Sequence, residues 1–178
     1  MNSIERTSEF YDRSGGIGEI LVDNSYIEYL LEKADNSERK RYLVLLHRGD
    51  SETSHMMINT LLPETTVRIH RHEHERNTEY YWPIEGEAAV LEFNDEGGVT
   101  NMIMMGGRFG KKVVTIKPFT WHTVVPLTPF VMLENKGHPE GYRPETDKVF
   151  APWAPAEGTP EANEYFSKLR KQILEGIK

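Results

Sequence analysis

The sequence contains no cysteine. This absence excludes disulfides, thiolate metal ligands and cysteine nucleophiles, so any metal site must use nitrogen and oxygen ligands. No apolar run approaches the roughly 18 residues that a bilayer span requires, and the polar N-terminal residues do not resemble a signal peptide. We therefore expect a soluble, cytoplasmic protein without a membrane partner.

Positive charge is also scarce. The 21 Lys and Arg residues are outnumbered by 28 Asp and Glu residues, which gives a net charge of −7. Since no basic patch with interleaved aromatic residues is present, we expect no nucleic-acid partner. The chain lacks a GxSxG motif, a phosphate-binding glycine loop and a dinucleotide fingerprint. Its 178 residues suit one domain with appendages.

The pattern of apolar residues changes near residue 41. Before it, SYIEYLLEKADN has helical spacing, with Asn24 or Ser25 as its N-cap, and DNSERKRY predicts a second short helix or a turn. After it, short apolar or alternating segments are separated by clusters of Gly, Pro, Asn and Asp, which is typical of an antiparallel sandwich or barrel. FNDEGGVT reads as a hairpin turn. The sequence therefore predicts an all-β domain behind an N-terminal helical segment.

The C-terminal residues predict an irregular strap and then a helix. APWAPAEGTP is too rich in Pro and Gly for regular structure, while Thr159 suits an N-cap and Pro160 a first helical position. One helical stripe carries the apolar side chains, and we expect it to pack outside the sheet or on a partner chain. The stripe contains Ala162, Phe166, Leu169, Ile173 and Ile177. The predicted organisation is an N-terminal extension (1–40), a β-barrel (41–150) and a strap with a helix (151–178).

Three of the seven histidines occupy alternate positions in one segment, RIHRHEHE. Side chains at i and i+2 share a face of a strand, so His70, His72 and His74 would point the same way. Glu79 opens the next apolar segment, and His122 precedes another. Burying several imidazoles without a shared partner would be costly. A metal site therefore explains the segment better than a solvated polar strand face does.

These residues also carry a family resemblance. His-x-His, then a Glu and, after six intervening residues, a Gly resemble the first cupin motif, and Pro118 to His122 resembles a shortened second motif without its usual glycine. IHRH, WHTVV, LENKG and above all DKVFAPWAPAEG resemble the WbuC family of cupin-fold metalloproteins, over roughly Arg41 to Gly158. The resemblance implies a double-stranded β-helix (cupin jelly roll). It does not imply a reaction, because that family is named for its gene context near surface-polysaccharide synthesis.

The resemblance also implies one divalent metal held by two histidines, a glutamate and a third histidine. General cupin spacing would select His72, His74 and Glu79. The WbuC pattern instead selects His70 and His72 with Glu79, and we adopt it, with His122 supplying the third imidazole. The expected cofactor is one divalent transition metal: Fe, Mn, Zn or Ni.

Alternation along the strands suggests further pocket residues. Arg68 shares the histidine face and could hold a carboxylate or phosphate of a substrate, or it could pair with Glu134. Glu134 and Lys136 share a face and form either an internal acid/base pair or a surface salt bridge. Tyr81 alternates with Glu79 and belongs to the pocket or to the core. We take Arg68, Tyr81 and Lys136 as candidate substrate contacts.

Two further features leave alternatives open. The DKVFAPWAP segment could be a lid, with Lys148 and Trp153 at the barrel mouth, or a strap that tethers the last helix. The function could be that of an enzyme acting on a small polar ligand, such as a sugar or sugar nucleotide. It could equally be a non-catalytic, metal-dependent binding or sensor domain, or the metal could be purely structural. A homodimer is compatible with the sequence.

Overall fold

The structure is a computed structural model that describes residues 4–6, 11–14, 22–143 and 147–176. The strands are β1 (Ile4–Arg6), β2 (Tyr11–Ser14), β3 (Arg41–Leu45), β4 (Ser54–Leu61), β5 (His70–Arg71), β6 (Glu79–Glu85), β7 (Glu87–Phe93), β8 (Val99–Gly106), β9 (Val114–Ile116), β10 (Trp121–Pro126), β11 (Phe130–Gly137) and β12 (Val149–Phe150). Among the described residues, the longer helices are α1 (Asn24–Asp35) and α2 (Pro160–Gly176), and Gly107–Phe109 forms a single 3-10 turn. None of the described helices combines the length and the apolar character that a membrane span requires.

The strands form two sheets. One has seven strands in the order β1-β2-β3-β4-β11-β6-β9, and the other has five in the order β12-β5-β10-β7-β8. Apart from the parallel pair β2–β3, the neighbouring strands run antiparallel. From β4 to β12 the chain passes repeatedly from one sheet to the other, which is the course of a double-stranded β-helix. The predicted all-β jelly roll is confirmed.

The central strands β7 and β10 of the five-stranded sheet are largely buried on both faces. Along β7, Ala88 and Val90 belong to the core between the sheets, while Ala89, Leu91 and Phe93 belong to the core under α2. This double burial explains why EAAVLEF is an almost continuous apolar run, since a strand with one face in water would alternate. The sheet that carries two histidine strands is therefore held on both sides.

Helix α2 packs on the outer face of the five-stranded sheet, as predicted. Its N-cap is Thr159, whose Oγ1 accepts a hydrogen bond from the Ala162 N–H at 3.2 Å, and Pro160 is its first residue. The predicted stripe residues Ala162, Phe166, Leu169 and Ile173 are buried. Ile177 lies outside the described residues.

Two details at the N-terminal side differ from the prediction. The N-cap of α1 is Asp23 instead of Asn24 or Ser25, because the Asp23 carboxylate accepts a hydrogen bond from the Tyr26 N–H at 2.9 Å. The sequence predicted only helix and irregular chain here, yet the structure adds β1 and β2 to the edge of the large sheet. Helix α1 covers the outer face of that sheet through a cluster that includes Leu30 and Ala34. The division of the chain at residues 40 and 150 stays a prediction.

The β7–β8 hairpin follows the predicted turn. The side-chain Oδ1 of Asn94 accepts hydrogen bonds from the backbone N–H groups of Glu96 and Gly98, at 3.2 and 2.7 Å. Gly97 has a φ of 87°, a left-handed conformation that glycine adopts without a steric cost. The turn thus places β7 and β8 in register at the edge of the five-stranded sheet.

The packing of α2 predicts a large effect of one substitution. Phe166 is 1% exposed, so Phe166→Ala should lower the free energy of unfolding by about 3–5 kcal/mol through lost burial and a cavity. Urea unfolding can be followed by the fluorescence of Trp121 and Trp153, which lie in or against the same core. Leu174→Ala is the matched control, because Leu174 is 42% exposed on the same helix. Equal losses in the two variants would contradict this packing.

Candidate metal centre

The four predicted metal ligands come together between the two sheets. His70 on β5 lies directly opposite His122 on β10, His72 follows two residues after His70, and Glu79 begins β6 in the facing sheet. All four are buried, and one potential ligand atom from each lies within 4.8 Å of those of the others. This arrangement could hold a metal ion.

The Glu79 carboxylate bridges two of the imidazoles. Its Oε1 lies 3.1 Å from His72 Nε2 and its Oε2 lies 2.8 Å from His122 Nε2. Neighbouring ligand atoms around an octahedral ion with bonds of about 2.0–2.2 Å would be roughly 3 Å apart. The Tyr81 hydroxyl donates to Glu79 Oε2 at 3.0 Å. These separations suit the donor set of a single small ion.

The three imidazoles are oriented in the same way. His70 Nδ1 hydrogen-bonds the Arg68 carbonyl at 2.9 Å, His122 Nδ1 the Thr120 carbonyl at 2.8 Å, and His72 Nδ1 the Asp147 carbonyl. A neutral ring that donates through Nδ1 keeps its lone pair on Nε2. The Nε2 atom of His70 is buried and has no hydrogen-bond partner in the described part of the chain. It is a nitrogen that a metal ion would satisfy.

Electrostatics keep these groups ready to bind a cation. Burial, Lys148 and His122 lower the pKa of His70 well below its ordinary value. Burial alone would raise the pKa of Glu79, but the imidazoles of His122 and His72 hold it well below the ordinary range. Burial and the Glu79 charge raise the pKa of Tyr81 well above its usual value. The cluster thus contains a neutral His70, an ionised Glu79 and an un-ionised Tyr81.

His74 lies apart from this cluster. It is exposed, and its Nδ1 accepts a hydrogen bond from the Arg76 N–H at 3.1 Å. The reason is that β5 ends at Arg71 and the backbone turns soon afterwards, so alternation no longer applies at position 74. Of the two ligand sets considered, the structure brings together the one with His70 and His72.

A cavity of about 440 Å³ borders the cluster. His70, Glu79 and Tyr81 line it, and so do Glu134 and Lys136. Glu134 and Lys136 are therefore both internal, and the alternative of a surface salt bridge does not hold. The predicted pocket positions of Tyr81 and Lys136 agree with this placement, while their contacts to a ligand stay predictions.

Glu134 has an unusual environment for a carboxyl group. It is 8% exposed and accepts a hydrogen bond from Asn59 Nδ2 at 2.6 Å. Burial and the nearby Glu79 charge raise the pKa of Glu134 to about 7. A carboxyl group of this kind is typical of sites where protons are exchanged near neutral pH.

Lys136 is paired with an acid that the sequence did not reveal. Its Nζ lies 2.8 and 3.0 Å from the two carboxylate oxygens of Asp147, and both residues are buried. Burial would lower the pKa of Lys136, but the Asp147 carboxylate raises it above the ordinary value. The ammonium group is thus charged and compensated beside the candidate centre.

Arg68 does not line the cavity. Its guanidinium carbon lies 4.6 Å from the centre of the Phe150 ring, and Phe150 does line the cavity. Residues 65–69 are not a strand, so the alternation that placed Arg68 on the histidine face does not hold there. Glu134, the predicted ion-pair partner of Arg68, accepts a hydrogen bond from Asn59 instead. A substrate contact of Arg68 stays a prediction.

The backbone conformation at Phe119 accommodates the shortened second motif. Phe119, in the motif that lacks its usual glycine, has a φ of 63°, a left-handed conformation that is uncommon for residues other than glycine. Its N–H donates to the His72 carbonyl at 2.8 Å. This bond ties the turn before His122 to the segment that carries His72, which keeps His122 in position despite the shorter motif.

The segment before α2 combines features of both predicted roles. Val149 and Phe150 pair with Arg71 and His70 as edge strand β12, and Lys148 lines the cavity. Trp153, predicted at the barrel mouth in the lid interpretation, packs against Phe93 with ring centroids 5.4 Å apart. Its apolar ring is better accommodated in the core under α2. The segment therefore straps α2 to the sheet while its first residues wall the cavity.

Sequence analysis did not identify three polar residues that line the cavity. They are Asn59, His138 and Asp147. For Asn59, strand alternation with the cavity residues Met57 and Leu61 was an available signal. The sequence held no such signal for Asp147, because the position of this residue depends on how the chain returns to β5.

Comparisons with known proteins agree with this picture at the level of the fold. The profile of a domain of unknown function, DUF6016, matches residues 22–105, a range that includes His70, His72 and Glu79 but ends before His122. A search of curated proteins finds no match.

Solved structures resemble the chain over most of its length. An uncharacterised conserved protein with a double-stranded beta-helix domain from Klebsiella pneumoniae is 15% identical, with a TM-score of 0.50, over 76% of this chain and 98% of that one. A protein from Shewanella oneidensis is 8% identical, with a TM-score of 0.51, over 74% and 85%. A cupin superfamily protein from Desulfitobacterium hafniense is 14% identical, with a TM-score of 0.46, over 61% and 86%. The chain has a double-stranded β-helix fold.

Proposed function

We propose that the protein binds one divalent transition metal through His70, His72, Glu79 and His122 and uses it to hold a small polar ligand in the adjoining cavity. The observation that carries this proposal is the set of four buried ligand atoms within 4.8 Å of one another. The orphaned Nε2 of His70 supports it, since an unsatisfied buried polar atom costs about 1–3 kcal/mol. Three imidazoles and one carboxylate suit Fe, Mn, Zn or Ni.

The cavity favours a metal ion with open coordination positions over a structural ion with a closed shell. Three His and one Glu leave one or two positions of an octahedral ion for other ligands. His70 and Glu79 both line the cavity of about 440 Å³, a volume within the usual range of small-molecule sites. A ligand in this cavity would lie beside the metal.

Catalysis is favoured over simple binding by the groups around the ligand. A bound divalent ion supplies a Lewis acid or, if redox-active, a site for oxygen chemistry. Tyr81 holds Glu79 Oε2 in place through its hydroxyl. The Glu134 carboxyl, oriented by Asn59, lines the cavity and can hold a proton or give it to a ligand there.

The proposed class of ligand rests on the family resemblance. The FAPWAP segment and the motifs around His72 and His122 resemble the WbuC family, and membership in that family is part of this proposal. Its gene context near polysaccharide synthesis favours a sugar or sugar nucleotide. This is an argument by analogy with the family, so the substrate has to be tested separately from the metal.

The ligand set predicts the effect of single substitutions on metal content. We expect about one metal ion per chain in protein purified without an affinity tag or chelator, and loss of most of it in His70→Ala and His122→Ala. Elemental analysis of the purified proteins measures this. His74→Ala is the matched control, because His74 belongs to the same segment but is exposed. A metal-free wild type that takes none up, or equal loss in His74→Ala, would refute the assignment.

The Lys136–Asp147 pair predicts a charge effect on metal affinity. Asp147→Asn leaves a buried ammonium uncompensated near the cation site, so the metal Kd should rise about tenfold, or ~1.4 kcal/mol. Competition with a chromophoric chelator gives the Kd. Lys136→Met in the same chain removes the ammonium and should restore the affinity.

Glu73→Gln is the control for this effect. Glu73 pairs with Arg71 at the surface, with its carboxylate oxygen 2.5 Å from the guanidinium, so its loss should leave the Kd unchanged. If the double variant binds metal as weakly as Asp147→Asn alone, the effect does not arise from the Lys136 charge.

Open coordination positions predict a spectroscopic response. Azide added to the cobalt(II)-loaded protein should bind the ion from the cavity and change its visible absorption bands. Glu73→Gln should respond like the wild type. An unchanged spectrum at saturating azide would indicate a closed, structural ion and would contradict the proposal that the ligand binds the metal.

A further inference from the structure

A second group of aromatic rings lines another part of the cavity wall. His47, His55, His138 and Tyr142 all line the cavity. The ring centroids of His47 and His55 are 3.9 Å apart, those of His55 and His138 are 4.2 Å apart, and those of His138 and Tyr142 are 5.6 Å apart. We call these four residues the imidazole cluster. The proposed metal centre does not explain why these four rings lie together.

The sheet register fixes where the imidazole cluster lies relative to the candidate metal centre. Lys136 on β11 is directly opposite His55 on β4 and directly opposite Glu79 on β6. Two strand spacings of about 4.8 Å therefore separate the backbones at His55 and Glu79, or roughly 10 Å. Since both side chains line the same cavity, one ligand the size of a single sugar ring can reach both.

His55 has a buried nitrogen without a partner. The residue is 3% exposed, and its Nε2 has no hydrogen-bond partner among the residues described. The backbone of Glu52 hydrogen-bonds the ring, and since Nε2 has no partner, that bond is made by Nδ1. Burial and His47 lower the pKa of His55, so the ring is neutral, with its proton on Nδ1. Its Nε2 is therefore a hydrogen-bond acceptor without a donor among the described residues.

The geometry of the rings argues against a second metal ion. A metal lies near the plane of each imidazole that binds it, because the nitrogen lone pair lies in that plane. The His47 and His55 rings are stacked with an interplanar angle of 15°, so their lone pairs do not converge on one point. Stacked rings instead present faces and edges to a ligand.

The chemistry of the acceptor selects the ligand group. Carboxylate and phosphate oxygens offer no proton to a lone pair, so they do not satisfy this nitrogen. A hydroxyl group donates without carrying charge, and the C–H faces of a polyol pack well on aromatic rings. A hydroxyl is therefore the group that best satisfies His55.

We infer that the imidazole cluster is the recognition subsite for a polyhydroxylated ligand, with His55 Nε2 accepting a hydrogen bond from a hydroxyl remote from the metal. This inference rests on the proposed function, because the other end of the ligand is the one held by the ion. It specifies the ligand as a sugar-like molecule with a metal-binding oxygen at one end and free hydroxyls at the other.

Calorimetric titration of zinc-loaded protein with two probes tests the inference. D-gluconate and 2-hydroxyhexanoate share a carboxylate, a 2-hydroxyl and a six-carbon chain, but only gluconate carries remote hydroxyls. We expect gluconate to bind the wild type about tenfold more tightly. His55→Leu should abolish that preference without changing the affinity for 2-hydroxyhexanoate, and His55→Gln, which keeps an acceptor, should retain part of it.

Each other outcome has a clear meaning. Gluconate that fails to bind, shows no preference in the wild type or keeps its preference in His55→Leu would overturn the inference. A second equivalent of zinc that binds the wild type and is lost in His55→Leu would overturn it in favour of a metal site. Elemental analysis after titration separates the two proposals: one retained zinc without a polyol preference refutes this subsite alone, whereas a wild type that never takes up zinc refutes the metal centre.

Discussion

The buried carboxylate of Glu79 is the constraint on which the rest of the site depends. An ionised group between two sheets is tolerated only where positive or polar partners surround it. His72 and His122 approach its two oxygens at 3.1 and 2.8 Å, and Tyr81 donates to it as well. The approach of the two sheets around this charge determines where β5, β6 and β10 must meet.

Charge compensation around Glu79 extends outward in steps. Lys136 faces it from β11 and is itself compensated by Asp147, whose backbone carbonyl orients His72. The same aspartate lies 3.5 Å from His138 of the imidazole cluster. One acid therefore connects the candidate metal centre to the imidazole cluster.

Sequence reasoning succeeded where side-chain direction follows from strand alternation or motif spacing. His70 and His72 share a face because two-residue periodicity holds there, and Tyr81 follows from Glu79 by alternation. The choice of His70 over His74 came from the family resemblance, since general cupin spacing would have selected His72 and His74. Sequence reasoning was wrong or silent where the backbone leaves regular structure. Position 68 precedes the strand, position 74 follows it, and Asp147 reaches the site only through the return of the chain to β5.

The edge pairing of β12 with β5 also bears on how the protein is made. β5 has only two residues and lies between β10 and β12, so its neighbours come from about 50 and 80 positions later in the chain, and such non-local pairing forms slowly. During synthesis His70 and His72 leave the ribosome long before His122 and before Asp147, whose carbonyl orients the His72 ring. The four candidate ligands are therefore assembled late in biosynthesis, and an ion that needs all four would bind the finished barrel rather than the nascent chain.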